Sequence, residues 1–370
     1  MKIIASKDSL VGALQFAENI ITAKTTMSIL SNILLETVNN SLRIISTDLE
    51  VAIKILINAD VKSNGAITLY AKKLTDIVKA LPHDDIEMSV NDNNITTIKS
   101  KNKEVKAEFK IKGIPKNDYP VLPEIKKEYT FKIAQKNLKD MIRKTIFAVS
   151  TEDSRAAING IKIELKDKKL RLVATDGRRL SFMDNKVDSD IKINDVIVPF
   201  KVLNELLKIL KDEGMAEISL SENQIYFKVD DIELISRLID GKFPEYMQVI
   251  PQSYEKKVVF FTNKMLNALK RVSLLTSEKR TGKIKFSFKK NSLEVSSSDP
   301  EIGEAREDIE IIYEDKEFEI AFSSEYLLDS INAIDSEKFV MGFNNSESAS
   351  MLKEDGSENF FCLIMPIRIS

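Results

Sequence analysis

At 370 residues, 43% hydrophobic and 30% charged, the chain has the length of two or three domains and enough apolar content for a substantial core. Its 55 basic and 57 acidic side chains nearly cancel, to a net charge of −2, which excludes a dedicated polybasic arm; any nucleic-acid contact has to be a local patch on a neutral body. One cysteine excludes an intramolecular disulfide, the start "MKIIASKDSLVGAL" lacks the apolar stretch of a signal peptide, and no run approaches the ~18 apolar residues that span a bilayer, so a soluble cytoplasmic protein is expected.

In chain order, "KDSLVGALQFAENII" places Leu10, Leu14, Ala17 and Ile21 on one helical face. "ILLETVNNSLRIISTD" (33–48) is two alternating strands around a polar turn, a β-hairpin pattern. "LYAKKLTDIVKALP" gives a second amphipathic helix, with Leu74, Val78 and Leu81, and "YPVLP" (119–123) reads as a linker. The same series then recurs. A helix carries Leu138, Ile142, Ile146 and Val149, a hairpin follows in "IKIELKDKKLRLVATD" (161–176), and a helix carries Leu203, Leu207 and Leu210. After the linker-like "YMQVIP" (246–251) a third series begins. It has a looser helix with Met265, Leu269 and Val272, the hairpin "IKFSFKKNSLEVSSSD" (284–299) and a helix with Leu327, Ile331 and Ile334. The three hairpins align without a gap at spacings of 128 and 123 residues, so the chain reads as three copies of one α+β unit, bounded at 1–123, 124–251 and 252–370.

The catalytic inventory is thin. The one histidine, His83, stands beside two aspartates in a polar loop and reads as a surface residue; Cys362, in "FFCLIM", reads as a small hydrophobe in a buried strand. No Cys/His metal spacing, GxSxG elbow, Walker loop or GxGxxG is present, which leaves carboxylates as the surviving catalytic option. The stretch "RLVATDGRRLS" (171–181) crowds an Asp, a Thr and two Arg around a glycine and could hold a metal or a phosphate. Asp176, however, recurs as Asp48 and Asp299 at the same junction of the other hairpins. Recurrence favours a turn former that bonds its own backbone, with metal binding as the other reading.

The six helical segments (7–22, 71–81, 134–150, 200–211, 262–276 and 323–334) hold 14 basic and 7 acidic residues inside a charge-balanced chain. Each helix alone reads as a solvated face. Together, equivalent elements of a repeat that share a basic bias suggest one surface toward a polyanion, with phosphate contacts that ignore base sequence.

Over its whole length the chain resembles the β subunits of bacterial DNA polymerase III, the sliding clamps. The most specific stretches are "VATDGRRLS" (173–181), "LIDGKFPEYMQVIP" (238–251) and "MPIRIS" (365–370). The resemblance implies an α+β fold of three DNA-clamp domains, with helices lining a ring interior and antiparallel sheets outside. It implies a head-to-tail homodimer around duplex DNA, partners that include the polymerase III α subunit, the clamp loader, other polymerases and mismatch-repair proteins, and neither cofactor nor metal nor membrane. By position it implies a peptide-binding pocket of Ile158, Thr175, Gly177, Arg178, Arg179, Leu180, Pro244, Gln248, Val249, Met365, Pro366, Ile367, Arg368 and Ile369. DNA contacts fall at Lys24, Lys72, Lys73, Lys201 and Lys208, and dimer contacts at Phe109, Leu274 and Leu275. Many members carry His where Arg178 stands and Arg where Gln248 stands. The competing reading is a carboxylate-metal hydrolase built on Asp176 with Asp48 or Asp299.

Overall fold

The computed structural model describes residues 1–21, 27–102, 104–122, 127–152, 156–276 and 282–369. They form two compact units: Met1–Lys136 with Lys201–Leu238, and Asn137–Phe200 with Ile239–Ser370. Among the described residues, six helices of eight or more residues recur in pairs: α1 Lys7–Ile20, α2 Ala71–Ala80, α3 Gln135–Ile146, α4 Phe200–Ile209, α5 Thr262–Val272 and α6 Ser324–Asn332. No described helix is long and apolar enough to cross a membrane.

The three repeated hairpins fold as the alternation predicts: Asn32–Val38 with Ser41–Thr47, Gly160–Lys166 with Lys169–Thr175, and Lys283–Lys289 with Ser292–Asp299. Their tight turns place Asn39, Asp167, Lys168 and Asn291 at positive φ, where Asn and Asp are tolerated best. Most of the apolar stripe read from the sequence is buried in each helix, although Ile146 of α3 is half-buried and so is Ile21, which lies just past the end of α1. In α4 the stripe is rotated: Val202, Leu203, Leu206 and Ile209 are buried, and Leu207 is only half-buried.

All strand pairs among the described residues are antiparallel, and the sheets run across the repeat. In the first unit, one eight-stranded sheet runs Tyr129–Ala134, Met215–Leu220, Gln224–Val229, Ile232–Arg237, Val51–Asn58, Ser41–Thr47, Asn32–Val38, Ala66–Tyr70. Its centre joins the last strand of copy two to the strand after Asp48 of copy one, with Ile232 opposite Ile55 and Ser236 opposite Val51. In the second unit the equivalent sheet runs Ile193–Pro199, Gly160–Lys166, Lys169–Thr175, Arg179–Lys186, Phe360–Ile364, Ser350–Glu354, Lys338–Phe343, Lys256–Phe261. There the last strand of copy three joins the strand after Asp176, with Arg179 opposite Ile364 and Leu180 opposite Leu363. A five-stranded sheet (Asp60–Ser63, Lys2–Ser6, Asp85–Val90, Ile95–Ser100, Glu108–Lys112) and a four-stranded sheet (Gly303–Glu310, Ser292–Asp299, Lys283–Lys289, Phe318–Ser323) complete the two units. Glu108–Lys112 and Gly303–Glu310 are edge strands.

The Pro-containing segments expected to be linkers are anchored at their tyrosines. Tyr119 is buried with Leu34 and Ile45, and Tyr246 with Ile158, Val173 and Leu180.

Candidate functional site

Strand Lys169–Thr175 ends in a turn that its own side chains build. Thr175 Oγ1 accepts from Gly177 N at 3.1 Å and donates to Arg179 O at 2.6 Å; Asp176 Oδ1 accepts from the amides of Arg178 and Arg179 at 2.9 and 3.0 Å. Gly177 has φ +87°, a conformation that a side chain would strain. The same turn recurs in the other copies. Asp48 Oδ1 accepts from the amides of Glu50 and Val51, and Asp299 Oδ1 from those of Glu301 and Ile302. The recurring aspartate is a turn former. The second oxygen of Asp176 is taken by Arg179 Nε at 3.1 Å, and that of Asp48 by Lys201 Nζ. Among the described residues, no group of three or more His, Cys, Asp or Glu side chains is placed to hold a metal ion.

Past this turn the chain enters strand Arg179–Lys186, which carries Leu180 into the core. Met365 N donates to Arg178 O at 2.9 Å, so the end of the chain is laced to the turn just beyond the Arg179–Ile364 pair. These elements enclose a cleft of about 470 Å³. Ile158, Leu180, Leu363 and Tyr246 are its buried apolar surfaces; Thr175, Gly177, Arg178, Arg179, Pro244, Val249 and Met365 line it as well. Val249 and Met365 are exposed, at 57% and 43%, so the opening is flanked by apolar side chains that no part of the second unit covers. Such a slot, apolar walls with a few backbone and arginine groups, suits an extended peptide with large apolar side chains.

Of the expected pocket residues, Gln248, Pro366, Ile367, Arg368 and Ile369 do not line the cleft. Gln248 is exposed on the short turn Tyr246–Val249. The chain leaves the cleft after Met365, and Ile367 N donates to Ala321 O at 2.7 Å, which binds the tail to the neighbouring strand Phe318–Ser323. Ala156, Ala157, Lys242, Glu245, Tyr246, Ala349 and Leu363 line the cleft and were missed. Tyr246 carried a legible signal, since it recurs as Tyr119 at the same place in copy one.

Beneath the cleft lies a charge network. Tyr246 OH is 3.4 Å from both Arg171 and Glu164, and Lys162 pairs with Glu164 and Asp195 at 2.8 Å each. Burial and the Glu164 carboxylate push the Tyr246 phenol above its ordinary range. Burial pulls the Lys162 ammonium down, but Asp195 and Glu164 outweigh it and hold the ammonium above its ordinary value. Burial pushes the Cys362 thiol up to about 12, the opposite of an activated nucleophile. His83 is exposed, 3.4 Å from Asp8.

Of the lysines expected at DNA, Lys72 and Lys73 are exposed on α2. Lys201 is half-buried and donates to Ile20 O at 2.6 Å and to Asp48, and Lys208 pairs with Glu205 at 2.6 Å. Lys24 lies outside the described residues. Phe109 sits on the edge strand Glu108–Lys112; Leu274 is 77% exposed on the turn Ser273–Leu275, with Leu275 half-buried beside it.

A threefold α+β repeat with a turn-bound aspartate, a thiol that burial keeps protonated and an open apolar cleft has the make-up of a binding scaffold. Models of the DNA polymerase III beta subunit match its N-terminal domain at residues 1–123, its central domain at 132–245 and its C-terminal domain at 247–368. The beta sliding clamp of Bacillus subtilis (strain 168) is 32% identical over 380 residues, covering all of both chains. The crystal structure of the Bacillus subtilis DNA polymerase sliding clamp superposes with a TM-score of 0.93 at 32% identity. That of a Pseudomonas aeruginosa sliding clamp bound to griselimycin gives 0.92 at 30%, and each comparison covers the whole of both chains. The chain belongs to the DNA polymerase III beta subunit family, the beta sliding clamps. Members of this family are processivity factors, not enzymes.

Proposed function

We propose that two copies of the chain close head to tail into a ring around duplex DNA, and that the cleft at Leu180 and Met365 captures linear peptides from the polymerase III α subunit, the clamp loader, other polymerases and mismatch-repair proteins. The domains would be 1–123, 124–251 and 252–370, and the ring would work on the chromosome in the cytoplasm.

The observation that carries ring closure is a pairing rule used twice within the chain. The last strand of copy two adds to the strand after Asp48, and the last strand of copy three adds to the strand after Asp176. The members left over are Glu108–Lys112, the last strand of copy one, and Gly303–Glu310, the strand after Asp299; both are edges. A second protomer lets each find its partner, and a heterologous contact that closes leaves neither of these two edges open. The charges agree: Lys110 and Lys112 outnumber Glu108 on one edge, and Glu304, Glu307, Asp308 and Glu310 outnumber Arg306 on the other. Phe109 and Leu274 stand at these two edges.

DNA would be held by topology, with phosphate contacts from Lys72 and Lys73, helped by Lys24 and Lys208. Retention on DNA tests this. Protein loaded on nicked circles should survive moderate salt and be lost on linearisation; equal loss from both forms would refute a closed ring.

A further inference from the structure

We propose that the edge strand Lys256–Phe261 is a second docking site, which takes an extended, acidic and apolar segment of a partner protein by strand addition.

The repeat supplies the template. In copy one, the strand leading into the first helix, Lys2–Ser6, is paired on both sides, by Asp85–Val90 and by Asp60–Ser63. The chain reaches the latter position by hooking onto Asn40: Ala59 N bonds Asn40 O, and Val61 N bonds Asn40 Oδ1, both at 3.4 Å. Copy three forms the same hook at Asn291, with Ile311 N on Asn291 O at 3.3 Å and Tyr313 N on Asn291 Oδ1 at 3.4 Å. There the strand leading into the helix is Lys256–Phe261, and it pairs with Lys338–Phe343 alone; the hooked segment adds no strand to its other edge. A groove of about 490 Å³ lies between them.

This edge is unguarded. Val259 is 46% exposed, Phe261 50% and Ile312, across the groove, 84%. The counterpart strand of copy two, Tyr129–Ala134, is also an edge, but it has Lys132 where copy three has Val259 and Ala134 where copy three has Phe261. A lysine there blunts an edge against pairing; a valine and a phenylalanine invite it. The groove also carries Lys264 and Lys338 against one carboxylate, Glu310, and Lys338 Nζ sits 4.8 Å above the Phe261 ring. Its occupant therefore runs antiparallel to Lys256–Phe261, as Asp60–Ser63 does on Lys2–Ser6. It sets branched apolar side chains on Val259, Phe261 and Ile312, and carries carboxylates for the two lysines. None of these residues lines the cleft at Leu180 and Met365.

The test uses the full chain and a fluorescein-labelled nonapeptide alternating isoleucine and glutamate, methylated at the backbone nitrogens of one edge so that it cannot stack on itself. Anisotropy should show saturable binding, weakened at least tenfold by Val259→Lys, a residue the fold already holds at Lys132. Ile312→Asp, outside the sheet, should weaken it similarly. A peptide with lysine in place of glutamate should not bind. The proposal is overturned if the acidic peptide does not saturate, if both variants bind it as the parent does, or if the lysine peptide binds equally. It is also overturned if sedimentation shows that copies of the chain associate through this edge and that Val259→Lys abolishes the association.

Discussion

Asp176 and Arg179 lock one turn from both directions. One oxygen of Asp176 accepts the amides of Arg178 and Arg179, and the other accepts Nε of Arg179 at 3.1 Å. Arg179 then reaches Asp329 at 2.6 Å and the carbonyl of Phe147 at 2.6 Å, with its guanidinium 4.4 Å from the Tyr326 ring. The backbone of this turn is one wall of the cleft, so under the proposed function its rigidity favours binding. Preorganised walls spare a peptide the cost of ordering them.

Arg179→Ala should therefore cost about 3 kcal/mol, the low end for breaking a buried pair, because Asp329 keeps some access to water. Asp299→Ala, which removes a similar turn with Ile302 in the place of Arg179, should cost about 1 kcal/mol. Urea midpoints measure both; equal losses would mean that the Arg179 network adds nothing to the turn.

Lys72 and Lys73 differ from Lys201 in what their loss should do. Replacing both exposed lysines by Ala should leave the melting temperature unchanged and reduce the salt dependence of short-duplex binding by about 1.8 in log–log slope, if each meets one phosphate. Lys201→Met should destabilise the first unit by about 1–3 kcal/mol, since the Ile20 carbonyl and Asp48 lose their partner. A duplex titration over several salt concentrations, beside a thermal melt, separates the two roles.

Leu274 and Leu275 should govern assembly. Each leucine, once covered, contributes roughly 1.5–3 kcal/mol, so the double Ala variant should dissociate at concentrations where the parent stays dimeric. Analytical ultracentrifugation at nanomolar protein reads this directly, and an unchanged dimer would move the interface elsewhere.

Alkaline pH should unfold the protein earlier than lysine titration alone would. Burial pushes the Cys362 thiol from an ordinary 9 up to about 12, and the Tyr119 phenol from 10 up to about 12. Both groups have folded values above their unfolded ones, so their contribution is complete below about pH 9 and is lost as pH rises toward 12. Chemical stability measured from pH 8 to 11.5 should fall from about pH 9, and Cys362→Ser should remove part of that slope. Iodoacetamide at pH 8 should label Cys362 only in unfolding concentrations of guanidinium.

The repeat was the most legible feature of the sequence, because period-two alternation and a recurring Asp survive any drift in residue identity. Long-range contacts were not. Nothing local marks Lys201 as the partner of Ile20 O, 181 residues away, so its place on a basic helix read as a DNA contact. Tyr119 and Tyr246 recur at one place in copies one and two, but the prolines beside them marked both segments as linkers and concealed their role as core anchors. Residues 366–369 are pocket residues only by the family resemblance; the bond from Ile367 to Ala321 turns this tail away from the cleft, a long-range contact that no local pattern announces.

The cleft itself offers the sharpest measurement. An extended peptide with a leading glutamine and a trailing pair of large apolar residues should place its apolar anchors on Leu180, Ile158 and Met365. Met365 is the best single probe, because its side chain is exposed while its backbone is fixed to Arg178 O, so truncation removes contact without loosening the strand. Met365→Ala should weaken peptide binding by about 1–3 kcal/mol, roughly five- to 150-fold, as expected for a contact buried by the ligand. Deleting Met365 to Ser370 should abolish binding and polymerase stimulation. It also breaks the tie to Phe318–Ser323, so its stability should fall where that of Met365→Ala does not. The dimer should persist in both, since Leu274 and Phe109 lie on other elements. Fluorescence anisotropy with the labelled peptide, repeated on both variants beside sedimentation, decides the matter. A folded Met365→Ala protein with unchanged affinity would move the anchor to another wall of the cleft. A folded truncation with unchanged affinity would remove the cleft from the binding reaction altogether.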